Sequence, residues 1–408
     1  MTTTRADALP AYALFAAMLA SAGLPIYIHA PKFFVDSYGV SLASLGAVLF
    51  GLRLLDVVQD PAFGWLADKT RSSRALTVLV AVAILAISMF CLFAVTPPVA
   101  PLLWFALCLT GLFSAFSFLT ICFYAQGVTK AETMRGGHFR LAAWRETGGL
   151  LGVCVAAATP TLLLGFTSPF AIFSAGFGAF CILAYLSMRR QWIAGEVPGE
   201  TGFREVLRDA TARRLLLIAL VNAAPVAVSS TLFLFFVESR LLAPGWEGPL
   251  LLLFFLAAAA SAPVWGKLAE RYGAKPVLLS AMVLAIVAFG YAAALGPGDT
   301  TAFAIICIAS GAAMGADLTL LPAIFARRMS VIAPNAAQAF GLWSFVSKFT
   351  LAFAAVTLLP LLQASGFSSG ATNPVEALTM LSVLYALVPC VLKLIAIGLL
   401  AATQIPES

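Results

Sequence analysis

Charge is what this 408-residue sequence has least of: Asp, Glu, Lys and Arg together supply 10% of it, and His occurs only twice. With hydrophobic residues at 62% and a mean hydropathy of +0.99, there is too little polar surface to cover a soluble domain. Other absences narrow the function. No Walker sequence, Gly-rich phosphate cradle, Ser/His/Asp set or His/Cys metal cluster occurs, so an enzyme is not expected, nor a cofactor or a tightly bound metal. The seven Cys are scattered, and Cys108, Cys122, Cys154, Cys181 and Cys307 sit within apolar runs without metal-ligand spacing, as buried small hydrophobes do. The start MTTTRADALP lacks the charged, apolar, then small-residue order of a signal peptide, so the first apolar run is expected to be retained.

What is present is apolar sequence in regular lengths. A helix needs about 20 apolar residues to cross the hydrocarbon core. Such runs fall at 10–33, 42–67, 75–95, 102–125, 141–164, 169–188, 215–238, 249–269, 277–295, 301–326, 339–362 and 375–402. Twelve spans are therefore expected in an all-α, multi-pass membrane protein. With both termini cytoplasmic, 18 of the 24 Lys and Arg lie in cytoplasmic segments, as the positive-inside rule requires. The net charge of +6 is thus a topological signal, and no nucleic-acid partner is read from it. The longest polar stretch, 189–214, divides the chain into an N-terminal six-span bundle (1–188) and a C-terminal one (215–408).

An internal repeat supports that division. Residues 61–69 read PAFGWLADK and residues 263–271 read PVWGKLAER, an offset of 202 residues. In each copy the glycine (Gly64, Gly266) lets helices approach closely. The acid and base that follow (Asp68 with Lys69 and Arg71; Glu270 with Arg271) are placed to bond adjoining helix ends at the cytoplasmic face, as a gate would.

The first copy carries charges that the second does not. Arg53, Asp56 and Asp60 have Phe255, Ala258 and Ala262 as counterparts at the same offset. A charge at mid-membrane costs about 2.5–3.5 kcal/mol even on a lenient scale, so charges kept by one copy alone mark a candidate functional site. Their i, i+3, i+7 spacing puts all three on one helical face, which must meet a cavity or a partner. Asp56 and Asp60 offer oxygens to Na⁺ or a shared proton, or else lock the bundle by pairing with Arg53 or Lys348.

The stretch RLLDVVQDPAFGWLADKTRS (53–72) closely resembles the second-span signature of the glycoside–pentoside–hexuronide (melibiose permease-like) cation symporters, a branch of the major facilitator superfamily. FFVDSYGVS (33–41), the connection at 123–149 and WSFVSKFTLAFAA (343–355) resemble other parts of that family more loosely. The resemblance implies twelve helices in two pseudo-symmetric six-helix bundles. It places Asp56 and Asp60 on cation-site carboxylates, and Arg145 and Lys348 on charges of the central cavity. Where melibiose permease uses acidic residues for sugar hydroxyls, this sequence has positions near Ala20 and Thr120, so the melibiose-type sugar determinants are missing.

Other charges have two readings each. Arg145 and Glu146 form a structural pair or face the cavity. Lys348, ten residues into its span, faces the cavity; Asp317 pairs with Lys348 or adds a second titrating group. His29 reads as a satisfied polar residue, and Lys393 is assigned no role. The expected protein is a monomer in the plasma (inner) membrane. It works by cation-coupled symport of a small, sugar-like organic solute with Na⁺ or H⁺, and its other partner is membrane lipid. An amphiphile or lysolipid transporter of the same fold is the alternative, and a non-transporting receptor or assembly factor a further one. Cysteines introduced at 196–200 should label only from the cytoplasmic side and those at 365–371 only from outside; the reverse in intact cells would overturn the orientation.

Overall fold

The computed structural model describes residues 8–23, 29–134, 137–163, 166–192, 203–332, 336–367 and 373–405. Among these, every regular element is helical: α1 (Leu9–Ser21), α2 (Ala30–Tyr38), α3 (Leu42–Lys69), α4 (Arg74–Ala94), α5 (Pro101–Glu132), α6 (Gly137–Leu162), α7 (Pro169–Met188), α8 (Phe203–Arg208), α9 (Ala210–Phe235), α10 (Glu247–Tyr272), α11 (Ala274–Gly290), α12 (Thr300–Ile332), α13 (Ala337–Ala364), α14 (Val375–Ser382) and α15 (Val388–Ala401). Local chemistry sets many of the ends. Ser41 caps α3 by accepting the Ser44 N–H, Pro101 and Pro169 open α5 and α7, and Gly39, in the left-handed region, closes α2.

Among the described residues, eight helical stretches are long and apolar enough to cross a membrane on length and composition alone: α4, α5, α7, α9, α10, α11, α12 and α14–α15. Helices α3 and α6, 28 and 26 residues long, have the length but carry the internal charges. The first expected span, 10–33, contains α1 and the start of α2, with residues 24–28 outside the described residues.

The chain forms two compact units. One holds Met1–Glu205 together with Met329–Phe345, the other Val206–Arg328 with Val346–Ser408. In the first unit α1 lies against α6 with almost no space between their backbones. A Cβ on Gly148 would stand 2.1 Å from the Ala13 carbonyl oxygen, and one on Gly152 2.2 Å from that of Ala17. This Gly-x-x-x-Gly spacing lets two membrane helices gain dispersion contacts where no hydrophobic drive separates protein from lipid. The second unit repeats the device on other helices: Gly311 and Gly315 of α12 lie against the Phe254 and Ala258 carbonyls of α10. Its core centres on Phe236, Phe303 and Tyr385, whose rings stack or tilt against one another.

The start of the second unit has its own lock. Asp209 caps α9, accepting the Ala212 N–H at 2.7 Å, and Arg328 at the end of α12 donates to both of its carboxylate oxygens. Those hydrogen bonds hold the Asp209 carboxyl below its ordinary range, with burial opposing. A lowered carboxylate pKa gives stability that is complete above the ordinary aspartate value, about 3.9, and is lost as pH falls towards the lowered one. Asp209→Ala should therefore cost about 1 kcal/mol of cap and lower the detergent melting temperature at pH 7. That difference from wild type should shrink below about pH 4; equal melting at pH 7 would remove the lock.

Candidate functional site

The charged face of α3 is buried, with Asp56 2% and Asp60 0% exposed. Carboxylates so placed must be hydrogen-bonded, and neighbouring neutral groups do part of that work. Gln59 donates its amide to Asp56 Oδ1 at 3.1 Å, Ser114 of α5 donates to Gln59 Oε1 at 3.0 Å, and Ser117 of α5 donates to Asp60 Oδ1. Two carboxylates one turn apart thus offer oxygens, the ligand type that hard cations take, with the Ser117 hydroxyl beside Asp60. The backbone of Arg53 belongs to α3, and its side chain lies outside the described residues.

The duplicated positions in α10 show what this face does elsewhere. Ala258 and Ala262 are both fully buried, and the Ala258 carbonyl is one of the surfaces that Gly315 of α12 packs against. Where the second copy joins its second and fourth spans by close glycine packing, with Ser261 and Trp265 of α10 donating to the Ala312 carbonyl of α12, the first joins them through Asp60 and Ser117. Ser114 and Ser117, spaced i, i+3, escaped the sequence reading, since serine within a membrane helix commonly bonds its own backbone.

A second cluster lies on α5 and α6. The Arg145 guanidinium sits 3.8 Å over the Tyr124 ring, and its Nε donates to Glu146 Oε1 at 2.7 Å. The Tyr124 hydroxyl donates to the same oxygen at 3.2 Å. Arg145 is buried rather than snorkelling, and its Nη2 has no hydrogen-bond partner among the described residues. Thr120, near the position of a missing sugar determinant, spends its hydroxyl on the Phe116 carbonyl of its own helix.

At the C-terminal end of α3 the repeat motif meets the start of α13. A Cβ on Gly64 would stand 2.9 Å from the Gln338 Cα, and the Gln338 N–H, in the first turn of α13, donates to Asp68 at 3.3 Å. A carboxylate at a helix N-terminus is favoured by the unpaired N–H groups and the dipole there. Lys69 lies over the Trp65 ring, Arg71 is half-buried in the turn that follows, and Arg74, buried, donates to the Ala67 carbonyl. In the second copy Gly266 is buried, whereas Glu270 and Arg271 are exposed, Arg271 lying over the Tyr272 ring.

The second unit corrects two expectations. Asp317 pairs with Lys393 of α15, not with Lys348, and the Lys393 ammonium also donates to Asn222 of α9 at 2.7 Å. Lys393, given no role in the sequence reading, is 4% exposed. Its partner was hidden because 76 residues separate it from Asp317, and apolar neighbours all round α15 do not reveal which face turns inward. Lys348 is half-buried near the middle of α13.

The model of the family described as MFS/sugar transport protein matches residues 10–407. The inner membrane symporter YicJ of Escherichia coli K12 is 26% identical over 201 residues, which are 45% of this chain and 43% of that protein, so the match spans less than half of the relative. Among solved structures, a bacterial homologue of the iron transporter ferroportin in its outward-facing state superposes with a TM-score of 0.69 at 15% identity, over 95% of this chain and 99% of that one. Its counterpart with soaked iron gives 0.69 at 13% identity, over 96% and 99%. At such identities the likeness is one of fold. With the family model running nearly from end to end of a chain whose described elements are helical and largely apolar, the chain belongs to the MFS/sugar transport protein family and is a multi-pass membrane transporter of the major facilitator fold.

Proposed function

We propose that this transporter is a symporter that couples an inward Na⁺ or H⁺ gradient to uptake of a small organic solute, sugar-like in chemistry, by alternating access of its two halves. It does so as a monomer in the inner membrane with both termini cytoplasmic. The observation that carries the reading is the pair Asp56 and Asp60: buried, one turn apart, accepting from the neutral side chains of Gln59 and Ser117, and replaced by buried alanines where the fold repeats. A span of this fold closes well without them, so their cost is met by something other than stability. The symporter named among the relatives supports the same mechanism.

The energetics suffice. One charge moving across the membrane potential is worth roughly 2.3 kcal/mol per 100 mV, which concentrates a neutral solute on the order of 50-fold. Asp56→Asn and Asp60→Asn keep the side-chain shape but remove the charge that balances Na⁺ or holds the proton. In proteoliposomes each should abolish gradient-driven accumulation while sparing downhill exchange. A merely structural pair would lose both modes together, along with thermal stability. Undiminished, ion-dependent accumulation in both variants would overturn the coupling assignment.

A further inference from the structure

The second unit lines a half-open cavity that the coupling site does not use. Its larger lobe, about 180 Å³, is walled by Phe233, Phe254, Phe289, Phe303 and Tyr385, and it opens where Ser230 is exposed. A smaller lobe of about 60 Å³ shares Ser229, Phe254, Phe289, Ser310 and Met314 with it and reaches Asp317 and Lys393. The larger lobe slightly exceeds the roughly 150 Å³ apolar cavity known to hold one benzene ring.

The floor of the cavity specifies the polar end of its occupant. Lys393 takes Asp317 Oδ2, but Asp317 Oδ1 is buried with no hydrogen-bond partner among the described residues. Ser229 and Ser310 cannot supply it, because each donates to a carbonyl of its own helix. The open atom is an acceptor and needs a donor. The pair beneath is already neutral, so a cationic occupant would meet Lys393 and an anionic one Asp317, each without compensation. The aromatic walls favour a flat ring, stacked or met edge-on. Tyr385 enters the wall from a π-helical turn, Val383–Leu387, and stacks at 4.2 Å on Phe236, which begins another, Phe236–Arg240. Such turns recur at functional sites.

We propose that this cavity is a solute site for an uncharged, single-ring aromatic compound bearing a hydroxyl, with phenol as its simplest member, the ring in the larger lobe and the hydroxyl donated to Asp317 Oδ1. The site goes beyond the sugar-like solute of the transport reading and is independent of ion coupling, so binding to purified protein without any gradient tests it even where coupling fails. Labelled phenol should bind the detergent-purified protein saturably, at one site per chain. Ser310→Leu, which fills the cavity and leaves the ion pair intact, should weaken binding at least tenfold. The double variant Asp317→Asn with Lys393→Met, which removes the acceptor charge without stranding its partner, should do the same. Non-saturable uptake matching empty micelles, or equal binding by Ser310→Leu, would overturn the proposal and leave the cavity to water. Downhill exchange of other solutes by Ser310→Leu reports separately on transport.

Discussion

A charge placed among membrane helices has no water to fall back on, and every feature of this protein's interior follows from how that demand is met. The chain can place few charges inside its spans, and those it keeps are found in company. Asp56 and Asp60 are held by Gln59 and Ser117, Arg145 by Glu146 beneath the Tyr124 ring, and Asp317 by Lys393 and Asn222. Each set joins helices distant in sequence or fastens adjacent turns, so the polar groups are also part of the packing. In the absence of a hydrophobic force between helices, such hydrogen bonds and close small-residue contacts are what remains to hold a bundle together.

The duplication turns this constraint into a comparison. Position for position, the α3 face bearing Asp56 and Asp60 corresponds to an α10 face bearing Ala258 and Ala262, and both are buried. The α10 version is joined to α12 through Gly311 and Gly315, whose missing side chains admit the carbonyls of Phe254 and Ala258. One architecture therefore carries two solutions at the same place, one close-packed and uncharged, with Ser261 and Trp265 donating to the Ala312 carbonyl, the other charged and costly. The second unit has its own ion pair deeper in its core, on α12 and α15, so the halves place charge on different helices.

The membrane class, most of the helices and the burial of the α3 carboxylates were legible because they rest on local signals. Apolar length, lysine and arginine bias, and a repeated nine-residue motif each survive without tertiary information, and Asp56 and Asp60 stood out against their alanine counterparts. Partners were not legible where they come from distant helices. Nothing in the spacing of Lys393 separates a bundle-facing lysine from a tolerated one, and Ser117 is indistinguishable from a serine bonded to its own helix. The Gly148 and Gly152 spacing is a readable signal of the close α1–α6 contact. Helices also outrun their hydrophobic windows: α5 continues to Glu132 and α12 to Ile332, because a helix does not end where the hydrocarbon does.

The central claim is that buried carboxylates on α3 convert an ion gradient into solute movement. Wild-type protein in proteoliposomes, given a panel of labelled sugars and glycosides with an imposed Na⁺ or proton gradient, tests it most directly. The account predicts a solute that accumulates above its outside concentration only while one of these gradients stands, and that leaks back when an ionophore collapses it. Accumulation indifferent to both gradients, or uptake that never exceeds equilibration while either is imposed, would contradict it.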